Sequence, residues 1–304
     1  MQNKQNDKYT DLFNNLSGVY STDYAGTELN VFNWGEYISD GSEGTLDVNA
    51  AFEEYYYETY GQRVQVNYTT YASNEDLYAK LKSGATGYDV IIPSDYMIQR
   101  MIAEDMLLPI DYSNIPNFQY IGEDFRNLSY DPDNLYTVPY TYGIVGVIYN
   151  ANVVDEADIG DWDLMWNEKY AGNILTFNNS RDAFGTAMYK LGLDVNTTDH
   201  AVWDRAAEEL LAQNPILKGR VMDEIYNKME SGEAWISSYY VGDYLSMYEN
   251  NEDLSFYFPK EGTNYFVDAM CIPKGSRNKE AAEAYINFML SKEIAIANAE
   301  YIYY

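Results

Sequence analysis

Apolar and polar positions alternate along "VQVNYTTYA" (64–72), the period of a strand with one buried face. The next stretch, "SNEDLYAKLKSG" (73–84), changes to helical spacing. Ser73 and Asp76 stand at capping-box spacing, and Gly84 closes the helix. "YDVIIPS" (88–94) is a short continuous apolar run, as expected of a parallel strand buried on both faces. "DYMIQRMIAEDML" (95–107) returns to helical spacing through Met97, Met101, Ile98 and Ile102. Near the end, Ala282, Tyr285, Ile286 and Met289 make one face of a further helix, followed by "KEIAIANAE". This repetition of strand and helix predicts α/β lobes with parallel-rich sheets.

Two stretches break the rhythm. "YTVPYTYGIVGVIYN" (136–150) and "LSFYFPKEGTNYFVDAMCIP" (254–273) are long, apolar and β-prone with internal Gly or Pro, and lie about 120 residues apart. Read as strands that carry the chain from one lobe to another, they place 139–257 in a second lobe. Residues 29–138 and 258–304 then form the first lobe, and 1–28 is a polar leader or linker. A chain of 304 residues is long enough for two lobes of ordinary size.

Composition narrows the classes. There are 48 acidic against 19 basic residues, a net charge of −29. A phosphate backbone or an anionic membrane surface would be repelled, so nucleic acid is not an expected partner, whereas a cationic ligand would be drawn in over long range. The same charge serves plain solubility. A single cysteine, Cys271, excludes an internal disulfide and reads as a buried structural thiol in an apolar run. A single histidine, His200, at the expected start of a polar helix, argues against a serine triad or a multi-histidine metal site. No catalytic group, cofactor or metal is expected. No apolar run approaches the ~20 residues that span a bilayer. With 33 tyrosines, any cleft built from this chain should be aromatic.

Ligands collect where the strands of open parallel sheets end. Five such places carry similar chemistry: Trp34-Gly35-Glu36-Tyr37, Ser94-Asp95-Tyr96, "NNSRDAF" (178–184), "SSYYVGDY" (237–244) and "YFVDAM" (265–270). Each offers an aromatic residue, a carboxylate, or both. A carboxylate pairs with an ammonium through charge-assisted hydrogen bonds. An aromatic face attracts a cation, and aromatic walls bury methylenes at ~0.8 kcal/mol each. Acid, aromatic slot and acid in alternation fit an alkyl diamine or triamine. Taken singly, every piece has a structural reading: Ser94 or Asp95 as the cap of helix 95–107, Asp182 as a partner of Arg181, Asp243 on a solvated helix face. The recurrence at strand ends carries the argument.

The stretches "FNWGEYI", "YTTYASNEDLYAKLKSG", "YDVIIPSDYMIQRMI", "YTVPYTYG", "KYAGNILTF", "FPKEGTNYFVDAMCIPKGSRNKEAAEAYINFML" and "ANAEYIYY" hold a common order and spacing. In them the chain resembles, over nearly all of 29–304, the PotD-type substrate-binding proteins of bacterial polyamine ABC importers. The resemblance implies a two-lobed type II periplasmic-binding-protein fold with crossover strands, and a ligand held in the cleft as the lobes close. It implies contact roles for Trp34, Glu36, Tyr37, Ser94 and Tyr96, and an amine-binding role for Asp182. Tyr240 takes a position usually held by Trp, and Asp243 matches an acid of the putrescine-selective branch. Phe266 and Asp268 match an aromatic and the acid that pairs an ammonium, and Tyr304 matches a ligand-contacting tyrosine. Asn179 stands where the spermidine-binding branch has Asp, and Asp95 adds to the field or caps its helix. These features mix the two branches and leave putrescine against spermidine open. The family continues for several helices past the position of Tyr304, packed on the second lobe, so those helices are expected to be missing here.

The expectation is therefore an extracytoplasmic polyamine receptor, periplasmic or at the cell surface, anchored to the membrane or fused to its permease in longer forms. Its partners are the polyamine and the ABC permease subunits, and it is expected to be a monomer without enzymatic activity. Three alternatives stand beside it. One is a receptor of the same fold for iron or a sugar. Another is a glycosidase using Glu36 and Asp268. The last is a polyamine sensor or adhesion module rather than a transport component.

Overall fold

The computed structural model describes residues 28–84 and 87–304, and two compact units divide them. The leader expected over 1–28 lies outside the described residues except for Glu28, which opens the first strand. One unit takes the described chain up to Thr141 together with Val267–Ile302; the other takes Tyr142–Phe266 with Tyr303–Tyr304.

The chain begins with β1 (Glu28–Trp34), α1 (Val48–Tyr60), β2 (Gln65–Tyr71), α2 (Asn74–Lys82), β3 (Val90–Ile91) and α3 (Asp95–Ala103). Strand β4 (Val138–Asn150) runs into the second unit. There follow β5 (Ile174–Phe177), α4 (Ser180–Lys190), α5 (His200–Gln213), β6 (Leu217–Val221), α6 (Ile225–Glu230), β7 (Ile236–Tyr240), α7 (Val241–Asn250) and β8 (Leu254–Tyr257). Strand β9 (Tyr265–Met270) returns to the first unit, which α8 (Lys279–Met289) and α9 (Lys292–Ile302) complete.

In the first unit β2, β1 and β3 lie side by side and parallel, with Leu29 opposite Val66 and Val31 opposite Val90. Burial on both faces explains why β3 lies in a continuous apolar run, with Val90, Ile91 and Ile92 all fully buried. One core joins Leu29, Val31, Phe52, Tyr55, Tyr285 and Phe288. Another joins Phe32, Tyr71, Leu77, Met97, Ile98 and Met101. Helix α2 starts as its sequence predicts: Ser73 Oγ accepts the Asp76 N–H at 3.1 Å and donates to Asp76 Oδ2 at 2.8 Å. Helix α3 is shorter than the run 95–107, because the chain turns out at Asp105, whose φ is +55°. Cys271 is fully buried, and burial pushes its thiol well above the ordinary range.

In the second unit the order is β6-β5-β7-β4-β8, with β5 parallel to both β6 and β7 and β4 antiparallel to β7 and β8. Its core centres on Trp162, Ile174, Phe177, Ile236 and Tyr239. The stretch 254–273 is two strands, since 258–264 leaves the sheet. That loop is held within this unit: Trp162 Nε1 donates to Gly262 O at 2.9 Å and Thr263 Oγ1 to Val145 O at 2.7 Å. His200 does open a helix, which Asp199 caps by accepting the Ala201 N–H.

Candidate functional site

In the first unit, β1 ends on Trp34, and β3 leads through Ser94 into α3. The two strand ends are laced together by one carbonyl. Ile92 O accepts both Trp34 Nε1 at 2.9 Å and Tyr71 Oη at 2.7 Å, with the two rings 4.8 Å apart. Ser94 occupies the N-cap position of α3, but its side chain does not cap. Its Oγ accepts from Asn74 Nδ2 at 3.0 Å, and its N–H donates to Asn74 Oδ1 at 3.1 Å. Asn74 Nδ2 also reaches Tyr96 Oη at 3.1 Å, and Tyr96 donates to Glu75 Oε1 at 3.1 Å. One buried Asn on α2 thus fixes both contact candidates of the second strand end.

Asp268 is not at a strand end. It lies inside β9, where Ser94 and Asp268 pair antiparallel and the Ala269 N–H donates to Pro93 O. Asp95 serves this arrangement, its Oδ2 accepting the Val267 N–H at 3.2 Å and its Oδ1 the Tyr96 N–H at 2.6 Å. The Asp268 carboxylate is only 3% exposed and accepts the Tyr37 hydroxyl at 2.8 Å. Tyr37 is shared with Thr141 Oγ1, and its carbonyl accepts Tyr140 Oη at 2.9 Å. Burial, then the Asp268 charge, pushes the Tyr37 phenol well above the ordinary range, so it stays a donor. Tyr71 is raised for the same two reasons. Glu36, at φ +46°, is exposed instead, and the phenols on which its charge acts are Tyr68 and Tyr301.

In the second unit, Asn179 caps α4, its Oδ1 accepting the N–H of Arg181 at 2.9 Å and of Asp182 at 3.3 Å. Asp at this position would cap equally well, so the amide keeps the helix start while removing one charge. Asp182 turns inward, buried, and accepts Tyr240 Oη at 2.6 Å and Asn264 Nδ2 at 3.1 Å. Tyr240 ends β7, its ring 5.1 Å from Phe177 and 5.1 Å from Phe266. Phe266 lies 6.3 Å from Tyr304. Asp243, in the first turn of α7, accepts the hydroxyls of Tyr226, at 2.6 Å, and of Tyr304. Two carboxylates thus stand at the ends of a run of three rings, Tyr240, Phe266 and Tyr304.

This run is possible because two glycines leave room for it. A Cβ on Gly143 would lie 2.5 Å from Phe266 Cζ, and one on Gly242 2.5 Å from Tyr304 Cε2. Burial dominates the electrostatics of Asp243, whose carboxyl is pushed up to about 6. The two phenol hydrogen bonds pull it down and the charge of Asp223 pushes it further up. Tyr240 is raised far above its ordinary range by burial and by Asp182.

The structure therefore brings Tyr37, Ser94, Asp95, Tyr96 and Asp268 together with Trp34 in one unit, and Asn179, Asp182, Tyr240, Asp243, Phe266 and Tyr304 in the other. Sequence reasoning passed over Tyr71, Asn74, Thr141, Tyr226 and Asn264. Only Asn74 left a local trace, directly after the capping Ser73; the others act on partners far along the chain.

A family model for bacterial extracellular solute-binding proteins matches residues 50–304, and the chain belongs to that family. It is 33% identical over 290 residues to the spermidine/putrescine-binding periplasmic protein of Escherichia coli (strain K12), covering 95% of this chain and 79% of the relative. Among solved structures it is similar to a putative spermidine/putrescine ABC transporter from Listeria monocytogenes, with TM-score 0.82 and 34% identity over 92% of this chain and 83% of that one. It is also similar to the spermidine/putrescine ABC transporter substrate-binding protein PotD from Streptococcus pneumoniae. There the TM-score is 0.73 and the identity 38%, over 92% of this chain and 82% of that one. The fold is that of the periplasmic-binding proteins. Among the described residues no helix is long and apolar enough to cross a membrane.

Proposed function

We propose that this chain captures a polyamine, putrescine or spermidine, outside the cytoplasm and delivers it to an ABC permease. The observation that carries the reading is a repeated one. Asp268, Asp182 and Asp243 each accept tyrosine hydroxyls and are edged by aromatic rings. A phenol orients a carboxylate without neutralising it, so the negative charge remains available to an ammonium. In this reading Asp268 receives one ammonium, Asp182 and Asp243 receive another, and Trp34, Tyr37, Tyr96, Tyr240, Phe266 and Tyr304 cover the methylenes. Ser94, Asp95 and Asn179 hold these groups in place, and Glu36 adds to the field that attracts the cation. The names of the relatives support the ligand class and the importer.

The protein binds and releases without chemistry, acts as a monomer and takes no nucleic acid. Iron is not favoured: a tyrosinate ligand needs a phenol that ionises readily, and Tyr37 and Tyr240 are both pushed the other way. A sugar would not need three buried or half-buried acids. The test is thermal unfolding with putrescine, spermidine, maltose or ferric citrate. A ligand at one hundred times its Kd stabilises by about 2.7 kcal/mol. Amines alone are expected to raise Tm; a rise with maltose or ferric citrate and none with amines overturns the reading.

A further inference from the structure

Tyr226 belongs to none of the ligand-facing positions, yet it holds one of the candidate acids. It sits on α6, with its ring against the core of the second unit and its hydroxyl 2.6 Å from Asp243 Oδ1. Tyr304 holds the other oxygen, Oδ2. A carboxylate oxygen has two acceptor directions. One phenol per oxygen therefore fixes the plane of the carboxylate and still leaves acceptor capacity for an ammonium. The two phenols differ in kind. Tyr304 also lies against Phe266, within the aromatic run. Tyr226 approaches from the helix that precedes β7, so its one polar contact with the site is the hydroxyl on Asp243.

We propose that Tyr226 is a positioning residue for amine capture, its hydroxyl orienting the Asp243 carboxylate and holding it in the ionised form that an ammonium requires. This rests on the polyamine reading of the site. The surroundings make the role necessary. Asp243 is flanked by Asp223 from the turn before α6 and by Tyr239 and Tyr240 of β7, with Tyr226 and Tyr304 on its oxygens. Asp223 is itself raised by burial and by Glu224, so its neighbourhood is acidic. Burial and the Asp223 charge favour protonated Asp243; the two hydroxyls and the helix backbone oppose them. A protonated Asp243 has no charge for the ligand.

The experiment is calorimetric titration of the full chain with putrescine and spermidine from pH 5 to 8, for the unsubstituted chain and for Tyr226→Phe. The unsubstituted chain should bind more tightly as pH rises, with a midpoint near 6. Tyr226→Phe should move that midpoint up by about one pH unit, as expected for loss of a hydrogen bond to a charged group. The deficit should be largest at pH 5, approaching tenfold, and shrink to near parity at pH 8. A purely structural role would lower affinity equally at every pH or not at all, and either result overturns the proposal. If Tyr226→Phe unfolds, the unsubstituted chain still decides. Titration at pH 6 in buffers of different ionisation enthalpy should show proton release on amine binding, and none overturns the proposal. If the unsubstituted chain binds no amine at any pH, the polyamine reading has failed and not the role of Tyr226 alone.

Discussion

Gly242→Ala tests whether Tyr304 is seated where the structure has it. Gly242 lies in the first turn of α7, where alanine normally gains about 1 kcal/mol over glycine. Here the added Cβ would sit 2.5 Å from Tyr304 Cε2, 2.7 Å from Cζ and 2.8 Å from Cδ2. Carbon atoms need roughly 3.5 Å or more, so the ring must retreat by about 1 Å. That breaks the hydroxyl contact with Asp243, a hydrogen bond to a charged acceptor worth about 1.5–3 kcal/mol. The net expectation is destabilisation by about 0.5–2 kcal/mol. In a Tyr304→Ala background the obstacle is gone, and the same substitution should stabilise by about 1 kcal/mol. The assay is urea unfolding of the four chains of this cycle, which isolates the coupling. An equal effect of Gly242→Ala in both backgrounds would refute the packing of Tyr304 on this turn.

Three further outcomes follow from the same contacts. Asp243 favours its neutral form when folded but ionises at its ordinary value near 4 when unfolded, so its stability cost is absent below about pH 4 and complete above about pH 6, reaching about 3 kcal/mol. Asp243→Asn should therefore stabilise the ligand-free chain at pH 7.5, approach parity near pH 4, and weaken amine binding; equal destabilisation at both pH values in urea unfolding contradicts this. Asp268→Asn should cost about 2–5 kcal/mol of amine affinity, roughly 30-fold to several thousandfold, with an unchanged circular dichroism spectrum; an unaltered Kd removes Asp268 from the site. Ser73→Ala should lose about 1 kcal/mol in thermal unfolding, because Ser73 Oγ accepts the Asp76 N–H at the start of α2; no change means that this cap contributes nothing.

What the sequence made legible was local. Period-2 alternation located β2, and the Ser73–Asp76 pair located α2 and its first turn. The 3.6-residue stripe of Met97, Ile98 and Met101 located α3, but its end at Ala103 depends on a left-handed Asp105 that no stripe announces. Asp182 and Asp243 were legible as residue types just past the ends of β5 and β7, where side chains leave the sheet. Their partners were not. Tyr37 meets Asp268 across 231 positions and Tyr240 meets Asp182 across 58, so neither pairing leaves a periodic trace. Asp268 itself is held by strand pairing with Ser94, a contact made by backbone rather than by a motif. Asn179 shows the opposite limit: its position was found, but capping α4 occupies the oxygen that a ligand-contact role would use.

The most direct test of the central claim is isothermal titration calorimetry of this chain with putrescine and spermidine at low and moderate salt. Saturable one-to-one binding, weakened by salt as expected for a cation drawn to a chain of net charge −29, is the predicted result. No binding heat with either amine at any salt, in a chain that circular dichroism shows to be folded, would contradict the account.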